Sequence, residues 1–151
     1  MKLQFIPVAS ANRDSILRLS PALGQESFLE PVADCLAEAD KDRRWNPVGI
    51  YDGAQLVGFA MYGFFLEEYP PYGRLWMDRL LIDAAYQGKG YGKLALAGLL
   101  QRLAKEYPPQ DIFLSVVPSN TAAASLYAQF GFIKTGEKDV HQEDVYRKRN
   151  G

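Results

Sequence analysis

The sequence holds one cysteine, Cys35, and one histidine, His141, among 151 residues. A single cysteine excludes an internal disulfide, which suits a reducing compartment and predicts a cytoplasmic protein. Cys35 falls within an apolar-periodic helical pattern, where a small buried thiol is the ordinary occupant. A lone histidine supplies neither a His-rich metal centre nor a triad with an obvious partner, so no metal is expected. An excess of one charge is missing too: 17 Lys and Arg stand against 18 Asp and Glu, a formal net charge of −1. That balance gives no general case for nucleic acid or an anionic membrane surface as partner. No apolar run reaches the ~20 residues of a membrane span, and the opening MKLQFIPVASANRD lacks a signal-peptide core. Without internal repeats or a low-complexity linker, residues 1–151 are expected to form one domain with a single sizeable core.

What the chain does have is a glycine loop, Gln87-Gly88-Lys89-Gly90-Tyr91-Gly92, between a strand-like and a helix-like stretch. Glycines at alternate positions free the backbone to adopt φ > 0. Main-chain N–H groups then converge where the next helix adds its own unpaired donors and positive dipole end. A phosphate or pyrophosphate suits that point, with Lys89 and Lys93 adding charge beside it. A Walker A loop needs four residues between its first glycine and Gly-Lys-Ser/Thr. Here only three separate Gly88 from Gly92-Lys93, and Leu94 stands where the hydroxyl belongs. The dinucleotide fingerprint G-x-G-x-x-G does not fit either. A glycine turn without any ligand stays open on the loop alone.

The rest of the chain reads as alternating strands and helices. Residues 2–8 predict a first strand, Arg13 to Leu19 a helix, and residues 27–40 a second helix with Phe28, Val32, Cys35, Leu36 and Ala39 on one face. A strand over residues 48–51 meets a hairpin signal at Asp52-Gly53, and a long apolar strand returns over residues 55–65. Gly58 and Gly63 within it mark a bulge or a close backbone approach. Residues 67–73 are acidic and aromatic together. The strand over residues 74–83 loses its alternation at Leu80-Leu81-Ile82, which fits burial on both faces or a bulge. After the loop come a helix ended by Pro108-Pro109, a strand over residues 112–117, and a helix over residues 121–130 stopped by Gly131. Strands over residues 132–136 and 144–148 close the chain. Such alternation indicates a mixed α/β sheet with helices on both faces.

The loop fits the pattern Q/R-x-x-G-x-G/A at every position. Asn120 lies just past the next strand, and residues 123–132 fit A-x-x-L-Y-x-x-x-G-F. With these three motifs in this order, the chain resembles the GNAT superfamily of acyl-CoA-dependent N-acyltransferases over its full length. Residues 69–93 are especially similar to bacterial polyamine acetyltransferases of the spermine/spermidine type. The resemblance implies a GNAT fold whose sheet is splayed between strands four and five. It implies acetyl-CoA as cosubstrate, with its pantetheine pairing to backbone around a bulge at Leu80, Leu81 and Ile82. The pyrophosphate would lie on Gln87, Gly88, Lys89, Gly90, Tyr91, Gly92 and Lys93, and Asn120 would bond the pantetheine arm; a helix cap is Asn120's other reading.

In the family, the tyrosine at the position of Tyr127 serves as general acid for the departing thiolate. With tyrosine near ~10 and a thiol near ~8.5, full transfer is uphill by roughly 2 kcal/mol, so hydrogen bonding to the thiolate counts as well. The acceptor is implied to be a primary amine, polyamine first. Only about one such amine in 2,500 is neutral at pH 7, so a carboxylate is needed to take its proton. Asp78 lies where related enzymes carry an acidic residue, although a salt bridge to Arg79 or Arg74 explains it equally well. Glu26, Glu30, Glu67 and Glu68, with Asp78, are the expected acidic lining for the polycation. Neither Cys35 nor any serine has an evident activating base, so direct attack in a ternary complex is expected. The alternatives are another small or protein amine, or an acyl-CoA-binding sensor without catalysis. A homodimer is compatible with the apolar strands.

Overall fold

A computed structural model describes residues 2–21 and 31–149. Its elements are β1 (Gln4–Pro7), α1 (Arg13–Leu17), α2 (Val32–Lys41), β2 (Trp45–Asp52), β3 (Gln55–Phe65), β4 (Arg74–Ile82), α3 (Tyr91–Glu106), β5 (Ile112–Val116), α4 (Thr121–Gln129), β6 (Ile133–Lys138) and β7 (Asp144–Lys148). A 3-10 turn, Ala84–Tyr86, leads from β4 into the glycine loop. The strands form one sheet in the order β1-β2-β3-β4-β5-β7-β6. Its pairs are antiparallel except β4 with β5, which α3 connects as a crossover. This is the mixed α/β sheet that the alternation predicted.

Helices cover both faces because the strands are apolar on both. On one face α3 buries Ala95, Leu96, Leu99, Leu100 and Leu103, the 3–4 spacing of a single helical stripe. They pack with Leu75 and Met77 of β4 and Ile112, Leu114 and Val116 of β5. Each fully buried leucine contributes about 1.5–3 kcal/mol. On the other face α1 and α2 bury Ile16, Val32, Cys35, Leu36 and Ala39 against Phe59, Met61 and Leu81. Cys35 is a buried core thiol, as its periodicity implied.

Two irregularities in β4 position the site. The β3 register pairs Met61 with Arg79 but Tyr62 with Met77, so Asp78 is the extra residue of a bulge. The bulge was expected at Leu80 to Ile82; it lies two residues earlier. The lost alternation is its consequence: Leu75 and Met77 face α3 before it, Leu80 and Ile82 after it, and Leu81 turns to the α2 face. The second irregularity is the splay. β4 pairs with β5 only at Leu75↔Ile112 and Trp76↔Phe113, although β4 continues to Ile82 and β5 to Val116. Beyond Trp76 the two strands part, and a gap opens in the middle of the sheet.

Boundaries differ from expectation where local chemistry intervenes. The first helix ends at Leu17 rather than Leu19, because Ser20 precedes a proline and gives its N–H to Asp83 Oδ1 at 3.0 Å. The hairpin residues are Gly53 and Ala54, since Asp52 still pairs with Gln55. At Gly58 the close approach is real: a Cβ there would lie 2.3 Å from the Leu81 carbonyl oxygen. β6 runs past Gly136 to Lys138 across an irregular register. The part of the second predicted helix over residues 27–30, with Phe28, lies outside the described residues.

Candidate active site

The gap between β4 and β5 opens into a cleft of about 310 Å³ on the α3 and α4 side. Leu80, Leu81 and Ile82 form one wall, Ser115, Val116 and Val117 the other, and the glycine loop and α4 close its ends. At Leu80, Leu81 and Ile82 the β5-facing edge of β4 lies beyond the end of its ladder with β5. Backbone polar groups on such an edge need partners, and an extended amide-bearing chain suits them. At the loop, Gly90 is the N-cap of α3 with φ +85, and no side chain caps the helix. The first intrahelical bond is Leu94 N–H to the Gly90 carbonyl, so the N–H groups before it keep their donor capacity. A Cβ built at Gly88, Gly90 or Gly92 would meet nothing within 4 Å. These glycines are therefore not demanded by the protein's own packing, and open space lies over the donors. An anionic phosphate fits there.

Polar side chains hold this cleft together. The Gln87 amide donates to the Ile82 carbonyl at 3.0 Å, tying loop to strand. Tyr91 donates to Asp52 Oδ2 at 2.6 Å, a bond that pushes its own hydroxyl upward. Asn120 caps α4, its Oδ1 accepting from Ala123 N–H at 3.2 Å, and also lines the cleft. Tyr127 packs edge-on against Phe132 at 5.7 Å and lines the cleft from α4. It keeps some surface along the cleft, yet burial pushes its hydroxyl up to about 12, against the opposing pull of the Arg79 charge. A donor at about 12 facing a thiolate near ~8.5 leaves full proton transfer uphill by about 5 kcal/mol. Hydrogen-bond stabilisation is the contribution this tyrosine is suited to make.

A second cleft, of about 520 Å³, lies on the opposite face of the sheet. Its aromatic lining is Trp45, Phe65, Tyr69 and Trp76, and five carboxylates, Asp42, Glu68, Asp78, Glu137 and Asp139, face three cations, Arg44, Arg74 and Lys138. Arg44 is held by Asp42 and Glu68, both at 2.8 Å, and lies 4.5 Å over the Phe65 ring. Those bonds pull both carboxyls below the usual range. Arg74 takes Glu137 with two bonds of 2.9 Å, holding that carboxyl low as well, and lies over Tyr69 and Phe113. Asp78 is not bridged to Arg74; its Oδ2 lies 3.9 Å from Arg79 Nε, and Arg79 donates to its carbonyl at 2.8 Å. The two clefts share one residue, Ser115 of β5, at the mouth of the gap.

The structure thus brings Leu80, Leu81, Ile82, Gln87, Gly88, Gly90, Tyr91, Gly92, Asn120 and Tyr127 to one cleft, and Asp78 and Glu68 to the other. Lys89 and Lys93 are exposed beside the loop, with Lys89 5.7 Å from the Tyr86 ring. Glu67 is exposed and outside the lining. Glu26 and Glu30 lie outside the described residues. Sequence reasoning missed Trp45, Trp76, Asp139 and Ser115, which come from four separate segments. It also missed Glu143, a half-buried carboxylate beside Ser115. Among the described residues, no group of His, Cys, Asp and Glu is gathered to hold a metal ion, and no helix is long and apolar enough to cross a membrane.

Residues 13–132 match the family model described as Acetyltransferase (GNAT) family. Over 150 residues the chain is 43% identical to the spermine/spermidine N(1)-acetyltransferase of Bacillus subtilis (strain 168), covering 98% of this chain and 99% of that protein. Solved structures that share the fold include the following two. AAC(6')-Ib in complex with paromomycin and acetyl-CoA matches at TM-score 0.80 and 18% identity, over 99% of this chain and 94% of that one. Spermidine N-acetyltransferase from Vibrio cholerae in complex with CoA and spermine matches at TM-score 0.68 and 18% identity, over 97% and 93%.

Proposed function

The chain belongs to the GNAT acetyltransferase family and is an acetyl-CoA-dependent N-acetyltransferase, and from that premise we propose that its acceptor is a polyamine of the spermidine/spermine type, attacked directly in a ternary complex. The observation that carries this is the acidic, aromatic cleft opening on the sheet face opposite the cofactor cleft and meeting it at Ser115. Its carboxylates exceed its cations by two, so a polycation finds net attraction there, and the aromatic walls suit alkylammonium groups and methylene chains. The likeness to a spermine/spermidine acetyltransferase over nearly the full chain supports the same acceptor.

Acetyl-CoA lies, in this reading, in the α3-side cleft. It supplies a thioester whose carbonyl carbon the amine attacks. The β4 backbone at Leu80, Leu81 and Ile82 pairs with the pantetheine, Asn120 bonds it, and the loop from Gln87 to Gly92 with the α3 N-terminus holds the pyrophosphate. Lys89 and Lys93 add charge at the rim. Tyr127 donates a hydrogen bond where the thiolate develops. Asp78 and Glu68 attract the ammonium groups. Two clefts meeting from opposite faces allow both substrates to be present together, and Cys35 is buried in the core and lines neither cleft. Free-CoA release across spermidine, spermine, lysine peptides and aminoglycosides tests the reading. Saturable turnover selective for the polyamines is expected. Selectivity for another amine overturns the acceptor and keeps the clefts; acetyl-CoA binding without turnover on the panel favours a sensor.

A further inference from the structure

We propose that Ser115 and Glu143 together take the proton that the acceptor ammonium must lose before it attacks. This rests on the amine-acetylating reading above. Ser115 is the residue at which the two clefts meet, so its hydroxyl stands between the amine's approach and the thioester's position. The β5–β7 register pairs Ser115 with Val145 and Val116 with Asp144. Glu143 immediately precedes β7, two residues before the Val145 that pairs with Ser115, and so lies about one diagonal step along the sheet from Ser115. The backbone fixes it there: Glu143 N–H donates to Asp139 Oδ1 at 2.9 Å, and its carbonyl accepts from Asp139 N–H at 3.0 Å. The Ser115 hydroxyl is near enough to the Glu143 carboxyl to favour its charged form.

The charges around Glu143 suit a proton acceptor. Burial is the largest influence and raises its proton affinity, and the neighbouring Asp139 raises it further. Arg79, His141 and the Ser115 hydroxyl oppose this without reversing it. The carboxyl is therefore raised from its ordinary value, the direction that favours a general base. Arg79 acts on Tyr127 as well as on Glu143, so a single guanidinium influences both the accepting and the donating end. In the step, one ammonium N–H bond breaks and its proton passes to Ser115 Oγ as the Ser115 hydroxyl proton passes to Glu143. One positive and one negative charge disappear together. The products are a neutral amine with a free lone pair, an unchanged serine and a protonated Glu143. The amine's second proton leaves once the C–N bond has formed and the C–S bond breaks, and ends on the CoA thiol. Asp78 is left to hold the substrate by charge.

The test compares wild type with Glu143→Gln, Glu143→Asp and Ser115→Ala on spermidine and on a spermidine analogue fluorinated β to the reacting amine, which lowers that amine's basicity. The wild-type rate on spermidine reads the acceptor assignment. Only the variant-to-wild-type ratios on the two amines read the proton path. Should wild type prefer another strongly basic amine, the same ratios are taken on that amine and its fluorinated analogue. Glu143→Gln is expected to lower kcat on spermidine by about 100-fold, with the KM for acetyl-CoA unchanged. On the fluorinated analogue it is expected to lose less than about fivefold, because little of that amine needs deprotonating. Glu143→Asp recovers part of the rate, and Ser115→Ala falls between. The wild-type rate falls on the acid side as Glu143 protonates, and Glu143→Gln lacks that limb. Equal losses on both amines would mean a structural role and overturn the proposal, as would a Glu143→Gln enzyme with the wild-type rate on spermidine.

Discussion

The two clefts are built from different materials. The cofactor cleft is made of main chain: a strand edge past the end of its β5 ladder, a glycine loop and a helix N-terminus, drawn from residues 80–92 and 115–127. The acceptor cleft is made of side chains, carboxylates and aromatics brought together from the α2–β2 junction, the ends of β3 and β4, β5 and the β6–β7 hairpin. A ligand with the same amides and phosphates in every turnover can be held by backbone, which carries no side-chain identity. An amine is selected by charge and shape, so its cleft depends on side-chain identity. The first should therefore fail when backbone freedom is lost, and the second when charge is lost.

The largest effect is expected from Gly90→Val. The protein has room for the side chain, but φ +85 disfavours it by about 1–2 kcal/mol and the added methyls cover the α3 donors. Acetyl-CoA affinity, measured by calorimetry, is expected to fall about 100-fold or more; affinity within threefold of wild type would break the main-chain account. Tyr127→Phe comes next. Losing one donor to developing charge lowers kcat by about 100-fold, and both KM values are expected to stay within about threefold. With its hydroxyl at about 12, Tyr127 stays protonated through the alkaline range. The kcat of wild type should thus show no alkaline decline up to about pH 10, and a decline near the ordinary tyrosine value would contradict its buried setting.

Smaller effects sharpen the acceptor side. Asp78→Asn is expected to raise the KM for spermidine about tenfold, one charge-assisted contact, while the KM for acetyl-CoA holds. Glu67→Gln, on the exposed side of its loop, is expected to change either KM by less than about twofold. A Glu67 effect as large as that of Asp78 would mean that the cleft extends over the whole β3–β4 loop.

The same contrast explains what could be read in the sequence. The cofactor cleft was legible because its parts are local: glycines at alternate positions, a capping asparagine and a tyrosine one helical stretch later all lie within some forty residues. The splay was legible only through resemblance, since nothing in the side chains of β4 and β5 states that their pairing stops at Trp76 and Phe113. The bulge announced itself two residues late, because the apolar run at Leu80 to Ile82 is its effect and Asp78 its cause. The acceptor cleft was mostly illegible. Charge pointed equally to Glu68 and Asp78, which line the second cleft, and to Glu67, which does not. Ser115 and Glu143 are brought near each other by the pairing of β5 with β7, which no local pattern encodes.

The central claim is that both substrates occupy facing clefts at once. Initial rates measured over a grid of acetyl-CoA and spermidine concentrations test it most directly. Double-reciprocal lines that intersect are predicted, because transfer waits until both clefts are filled. Parallel lines, with an acetylated protein recovered after acetyl-CoA alone, would show a covalent intermediate and contradict the account.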